Sequence, residues 1–448
     1  MTNSLSALKA DGTFHCYDHL ADAPDRWPSS WKWISTARQN AIGLFPCIVY
    51  KQTRVDHSVF GQQLVVISDP SAIRHICGTA AAKYRLSNLH LRLLRPALGN
   101  GLIVAEGKSW ALQRRLAVRL THSPSTSDQI RLSRERIDDM IDGWLARSSD
   151  HSFILDPLED LIALSLDLIA IHAFSHSGGV ASDEVLRAIT IHRRTIEKFD
   201  LLDVVGATPS LTSFKMTTAA RIAHGLDHSI NSMIASAPPT QGPEDIRHNT
   251  CAASRDFVVS MMAGFESTTL NTLWLLGILA AQPTLANQIL AERSDIFHEA
   301  TWQESSLRRT SLLGKCVLEA LRLYPPLPLI YRTATTDDQT PAGVIKKGAL
   351  VCMSPWIVHR HDELWEKPAE FHWQRFDGLT KLPDGYMPFG IGARQCVGML
   401  IGRRLVETVV RRILERCSLS LFNSQLPSPR AGVSLRPSAP MRFTVARH

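Results

Sequence analysis

The chain has eight cysteines in 448 residues but not one Cys-x-x-Cys pair, so neither a zinc ribbon nor a thioredoxin-type motif is available, and reduced thiols in a cytoplasm fit this usage best. The opening segment, MTNSLSALKADGTFHCYDHL, has no apolar run behind a basic flank, which argues against a secretory signal or an N-terminal anchor. Internal repeats, low-complexity tracts and a long linker are also missing. Length alone would suggest about three domains, yet without a break in composition a single large domain over residues 1–448 is expected. Strong charge of one sign is lacking as well: 49 Lys and Arg face 42 Asp and Glu, a net of +7 dispersed along the chain. Nucleic-acid recognition wants a clustered basic face, so that class is set aside, while an acidic protein partner stays compatible.

What is present describes a folded protein. Hydrophobic residues make up 44% and charged residues 20%, enough apolar surface for a substantial core. Apolar groups recur at three- and four-residue spacing over 107–120, 126–148, 157–174, 182–199 and 216–235, and a further helix is expected over 309–323. Leu64 to Ile67 reads as a short strand, followed by Asp69 as a helix cap with Pro70 opening the helix. The segment from Ser236, SAPPTQGPEDIRHN, reads as a surface connection. Short β-prone runs between Pro and Gly turns follow Tyr324 and recur at the C-terminus. The expected class is mainly α with small β-sheets.

One stretch is short of charge to an unusual degree. Between Asp256 and Glu292 the only charged side chain is Glu266, in AGFESTT. The run is long enough on paper to span a bilayer, but Glu266, Ser267, Thr268, Thr269, Asn271 and Thr272 interrupt its middle, so no membrane span is expected. A buried, unpartnered carboxylate costs several kcal/mol or stays protonated. Glu266 is therefore a candidate working group.

The second concentrated signal is YMPFGIGARQCVGMLIGRRLVETVVRRILERC. Gly390, Gly392 and Gly398 surround Cys396, and an amphipathic helix follows with Ile401, Leu405, Val409 and Ile413 on one face. Glycines let backbone turn tightly against a flat ligand. The helix N-terminus and its amides favour a thiolate at Cys396, and Arg394 can reach an anionic group on the same ligand.

The Phe389-Gly390-x-Gly392-x-Arg394-x-Cys396-x-Gly398 pattern resembles the haem-binding loop of the cytochrome P-450 superfamily. The resemblance implies a triangular α-rich body around a buried haem b, with Cys396 as the axial thiolate on iron and O2 as co-substrate. It covers about Trp110 to Arg404, with further motifs in order. Glu319 and Arg322 match the family's Glu-x-x-Arg. FHWQRF resembles Phe-x-Pro-x-Arg-Phe, so Arg375 completes a structural brace, although Trp373 replaces the usual Pro. Trp110 and Arg114 match Trp-x-x-x-Arg, and with Arg332 and Arg394 they imply a clamp on the haem propionates. AGFESTT resembles the oxygen-activation motif: Ala263 and Gly264 leave room beside the haem, and Glu266 with Ser267, followed by Thr268, are the catalytic candidates for proton delivery. Serine stands where the family usually has threonine. His359 and His361 match no motif and are expected at the surface.

Implied by this resemblance is a soluble, cytoplasmic, monomeric haem-thiolate monooxygenase of bacterial type. No flavin or nicotinamide fingerprint is present, so electrons are expected from ferredoxin and ferredoxin reductase or another separate partner, docking on Arg403, Arg404, Arg411 and Arg412 with Arg115 and Arg119. The substrate implied is a hydrophobic small molecule, a terpenoid, steroid or fatty acid, met by residues 84–100, 190–210, Ala263, Leu329 and Ile330. The chain also resembles the rhizobial gibberellin-pathway diterpene oxidases in general character. A peroxide-driven peroxygenase and a non-catalytic haem sensor or carrier are the alternatives.

Overall fold

The computed structural model describes residues 14–147, 152–176, 251–292 and 310–448, with a few isolated positions elsewhere. The helices expected over 182–199 and 216–235, the connection from Ser236 and the pocket segment 190–210 lie outside the described residues.

The other expected elements form where their sequences predict. Helices run over Gly107–His122, Ser127–Leu145, Leu158–Phe174 and Leu312–Leu323. Thr126 and Gln129 close a capping box on the second of these, satisfying two backbone donors that a helix start leaves open. The expected strand is Gln62–Ile67, and Asp69 caps the helix Pro70–Arg74 by accepting from Ala72 N at 2.6 Å.

A five-stranded sheet carries the order Arg54–Val59, Gln62–Ile67, Leu350–Met353, Ile330–Ala334, Tyr84–Leu86. Only the pairing of Gln62–Ile67 with Leu350–Met353 is parallel. Near the C-terminus, Cys417–Leu421 pairs with Phe443–Arg447, and Pro429–Ala431 with Leu435–Pro437. The mainly helical class with small sheets stands.

The apolar stretch that raised the membrane question is the centre of the core. It forms two helical pieces, Cys251–Met262 and Gly264–Ala280, meeting at Ala263. The second packs on Leu158–Phe174 and on the helix Met399–Arg416 that follows the cysteine loop. Two of its buried threonines are satisfied inside: Thr269 Oγ1 donates to Leu161 O at 3.2 Å, and Thr272 Oγ1 to Thr268 O at 2.9 Å. Trp274 stacks on Tyr324 at 4.0 Å between ring centres. Among the described residues no single helix is long and apolar enough to cross a membrane, and the apolar run bends by 107° before Pro283–Ala291.

Candidate active site

Between the cysteine loop and the central helix lies a cavity of about 550 Å³. The loop is shaped by two glycines with left-handed backbone, Gly390 at φ 68° and Gly392 at φ 71°. A Cβ on Gly392 would sit 2.1 Å from the Cys77 carbonyl oxygen, so this approach of two chains admits only glycine. Cys396 N donates to Phe389 O at 2.8 Å, closing the loop, and Met399–Arg416 starts just after Gly398. Cys396 is exposed by area, and its exposed surface belongs to the cavity wall. Burial among protein atoms pushes its thiol up, while the Gly398 amide and the Arg114 charge pull the other way.

On the opposite wall stand Ala263, Gly264, Glu266, Ser267 and Thr268. The Gly264 carbonyl, in the first turn of the second piece, accepts from two side chains: Ser267 Oγ at 2.9 Å and Thr268 Oγ1 at 3.3 Å. Such back-bonding accompanies local bending of a helix. Ser267 thus spends its proton on backbone and turns acceptor lone pairs outward.

Glu266 is not alone. Its Oε1 accepts from Ser434 Oγ at 2.8 Å and forms an ion pair with Arg436. The partner comes from 170 residues away, so no local reading of the sequence could supply it.

The wall between these faces is cationic. Arg114, Arg332, Arg394 and Trp110 all line the cavity. Arg114 donates to Gln395 O, Arg332 Nη1 to Tyr331 O at 2.9 Å and Arg394 Nη2 to Ala105 O at 2.6 Å, with the Arg394 guanidinium 5.1 Å from the Trp110 ring centre. Burial, then the neighbouring Arg332 charge, lowers Arg394 to about 10. Sequence reading missed His90, inside the flagged segment 84–100. It lines the same wall, its Nε2 is buried without a protein partner, and burial with the charges of Arg332 and Arg394 lowers it to about 3. Mutually repelling cations beside an unpartnered ring nitrogen fit a dianionic ligand edge. A thiol faces the same space, and the apolar remainder of the wall suits a flat macrocycle. The residues present therefore fit a haem.

Outside the cavity, Glu319 and Arg322 are both fully buried. Arg322 Nε and Nη2 each donate to Glu319 at 2.8 Å, Arg375 Nε donates at 3.2 Å, and His372 N at 2.9 Å. Trp373 in place of Pro does not displace Arg375; it packs under Lys315, with the ammonium 5.7 Å from the ring centre.

Two expectations need correction. His359 and His361 are not at the surface: with Arg360 they are wholly buried. His359 Nδ1 bonds Arg322 O at 3.0 Å and its Nε2 accepts from Met387 N at 2.9 Å, while Arg360 stacks 3.4 Å from the Trp356 ring centre. Consecutive polar residues after a short helix look exposed in sequence, but here His359 ties the brace to Met387 ahead of the cysteine loop. The basic face is also reduced. Arg411 is buried and donates to Ile289 O and Glu292 O, Arg412 pairs with Asp138 at 2.6 Å, and Arg404 pairs with Glu407 at 2.6 Å. Arg115 and Arg119 are exposed.

Apolar wall is supplied by Leu94, Leu98, Ile103, Leu329, Ile330 and Val433, which brings the expected pocket residues Leu329 and Ile330 together with Ala263.

Comparison with known proteins agrees with this geometry. The family description "Cytochrome P450" matches residues 24–237 and 226–445. Cytochrome P450 4F12 of Homo sapiens is 25% identical over 393 residues, covering 78% of this chain and 74% of that protein. An ultra-long-chain fatty acid omega-hydroxylase of Homo sapiens is 24% identical over 399 residues, covering 80% and 74%. The crystal structure of the haem domain of cytochrome P450DA superposes with a TM-score of 0.69 at 18% identity, covering 88% of this chain and 90% of that one.

Proposed function

From a chain that belongs to the cytochrome P450 family, a monooxygenase family with haem b on an axial cysteine thiolate, we propose that Cys396 is that ligand and that the cavity above it is the catalytic centre. The observation that carries this is the opposition of Cys396 and the Ala263–Thr268 wall across one cavity ringed by Arg114, Arg332 and Arg394. When bound, haem b activates dioxygen, so that one atom enters an apolar carbon–hydrogen or carbon–carbon double bond and the other leaves as water.

The chain's own residues set the conditions for that chemistry. Cys396 would hold the iron as a thiolate, the form that burial disfavours and that the Gly398 amide, the Arg114 charge and a bound cation favour. Arg114, Arg332, Arg394, Trp110 and His90 would hold the propionates. Ala263 and Gly264 leave space, and the leucines and isoleucines of the wall exclude water. Glu266 holds the carboxylate from which protons are passed, and Ser267 offers the hydroxyl that receives and orients them. Glu319, Arg322 and Arg375 fix the segment beneath the loop.

Residues 1–448 act as one cytoplasmic catalytic domain supplied by a separate redox protein, with an acidic ferredoxin suited to Arg115 and Arg119. Turnover insensitive to ionic strength would remove that docking idea. The substrate is hydrophobic. The fatty acid hydroxylase among the relatives supports a long-chain lipid, and the apolar wall equally suits a terpenoid such as an ent-kaurene-type diterpene. Spectral shifts across fatty acids, steroids and diterpenes decide between these classes.

The central test is the spectrum of the reduced, carbon-monoxide-bound protein. A red-shifted Soret band that is lost in Cys396→His is expected. Its absence from the natural sequence sinks the assignment, and turnover with hydrogen peroxide matching that with ferredoxin would favour a peroxygenase.

A further inference from the structure

Glu266, which no neighbour in sequence balances, is met from the far end of the chain. Ser434 and Arg436 belong to the hairpin formed by Pro429–Ala431 and Leu435–Pro437. Besides reaching the same oxygen of Glu266, they touch each other: Arg436 Nε donates to Ser434 Oγ at 2.9 Å.

This hairpin is not a free loop. Arg430 Nε donates to Gln39 O at 2.8 Å, and Ala431 N donates to Asn40 Oδ1 at 2.8 Å. Leu435 N donates to Pro326 O at 3.0 Å, and Leu435 O accepts from Trp274 Nε1 at 3.3 Å. Trp274 lies on the same helix as Glu266, a little over two turns further along. Hairpin and helix are thus fastened at two heights. Val433, Ser434 and Glu266 face the cavity, and Arg436 stands behind them.

We propose that Arg436, together with Ser434, is a positioning residue that holds Glu266 in one orientation at the cavity wall and ties that orientation to whatever touches the hairpin tip. This rests on reading Glu266 as the proton carrier. An ionised carboxylate facing an apolar space is costly; a guanidinium and a hydroxyl on one oxygen offset that cost and fix its direction. At 13% and 21% side-chain exposure for Arg436 and Glu266, the pair is largely shielded, unlike a surface bridge. An apolar ligand pressed against Val433 and Ser434 shifts the hydroxyl that links the two charges. Occupancy of the cavity is thereby coupled to the proton group.

The test is a double-mutant cycle on the haem-loaded protein, read in the carbon–oxygen stretching band of its reduced carbon monoxide complex. Arg436→Gln is expected to shift or split the band when Glu266 is present and to have little effect in the Glu266→Gln background; Arg436→Lys restores a single band. An equal shift in both backgrounds, or none in either, overturns the proposal. Should Arg436→Gln fail to fold, Ser434→Ala carries the same cycle. Coupled product formation separates the two readings. If Glu266→Gln leaves coupling intact while the band effects are non-additive, the relay falls and the positioning stands; if Glu266→Gln uncouples turnover while the effects are additive, the reverse holds.

Discussion

Glu319 and Glu266 each sit on a helix that borders the cavity and each meets arginine, but they are held in opposite ways. Glu319 has no exposed surface and takes four donors from Arg322, Arg375 and the His372 amide. Arg322 spends its remaining donors on the carbonyls of His359, Pro368 and Glu370. Glu266 keeps 21% of its side chain exposed, toward the cavity, and is met by one serine and one arginine from a hairpin. A carboxylate saturated on all sides cannot exchange protons without unfolding its surroundings. One that keeps part of its surface on a cavity can meet a proton there. The same residue type is therefore a brace in one place and, on the proposed reading, a working group in the other, and exposure to the cavity marks the difference.

Breaking the brace should give the largest loss of stability. Arg322→Ala strands a buried carboxylate and three carbonyls, and removing one member of a buried pair costs about 3–5 kcal/mol. Urea unfolding of the haem-loaded protein checks this, and an unchanged midpoint would show that the network holds nothing together.

Acid probes the same region more gently. His359 Nε2 accepts from Met387 N, so its proton sits on Nδ1 and is given to Arg322 O. Burial, and next the Arg322 charge, hold its pKa well below the usual imidazole range. The folded protein keeps His359 neutral while the unfolded chain takes up a proton below about pH 6.5. Stability from this group is then complete above that pH and is lost as pH falls through the depressed value, at up to about 1.4 kcal/mol per pH unit. His359→Gln should flatten the decline in urea midpoint between neutral and mildly acidic pH; an identical slope in the variant would remove His359 from the account.

Glu266→Gln should reverse the balance between stability and activity. Glutamine has the same shape and keeps an oxygen that accepts from Ser434 and Arg436, so the urea midpoint should move less than in Arg322→Ala. Coupled product formation should fall by about a hundredfold, the lower end of what a proton-transfer group supplies. A large stability loss with intact coupling would make Glu266 a second brace and erase the contrast.

How far the sequence revealed this contrast depends on the range of each interaction. Cys396 and its glycines, Glu319 with Arg322, and Trp110 with Arg114 lie within a few residues of one another, so short motifs carry them and the family resemblance displayed them. The apolar run around Glu266 also announced a buried helix. Arg436 could not be seen, because its contact depends on how the C-terminal hairpin folds back onto the central helix. His359 and His361 read as surface because their hydrogen-bond partners are backbone groups, which leave no mark in a charge pattern. Arg411 misled in part for the same reason: besides Glu415 one turn along, its partners are carbonyls at the end of a neighbouring helix.

The finest probe of the working side is Ser267. Its hydroxyl donates to Gly264 O at 2.9 Å, so to pass a proton into the cavity it must leave that bond, at a net cost of about 1 kcal/mol. Ser267→Thr adds a methyl that restricts side-chain rotation, and the exposed position on the cavity wall has room for it. Stability should stay within about 0.5 kcal/mol of the parent, while the share of electrons recovered in product rises as the hydroxyl is better confined. Ser267→Ala, which keeps the helix and loses the hydroxyl, should lower that share. If all three residues give the same share, protons reach the cavity without Ser267, and Glu266 must deliver them through water alone.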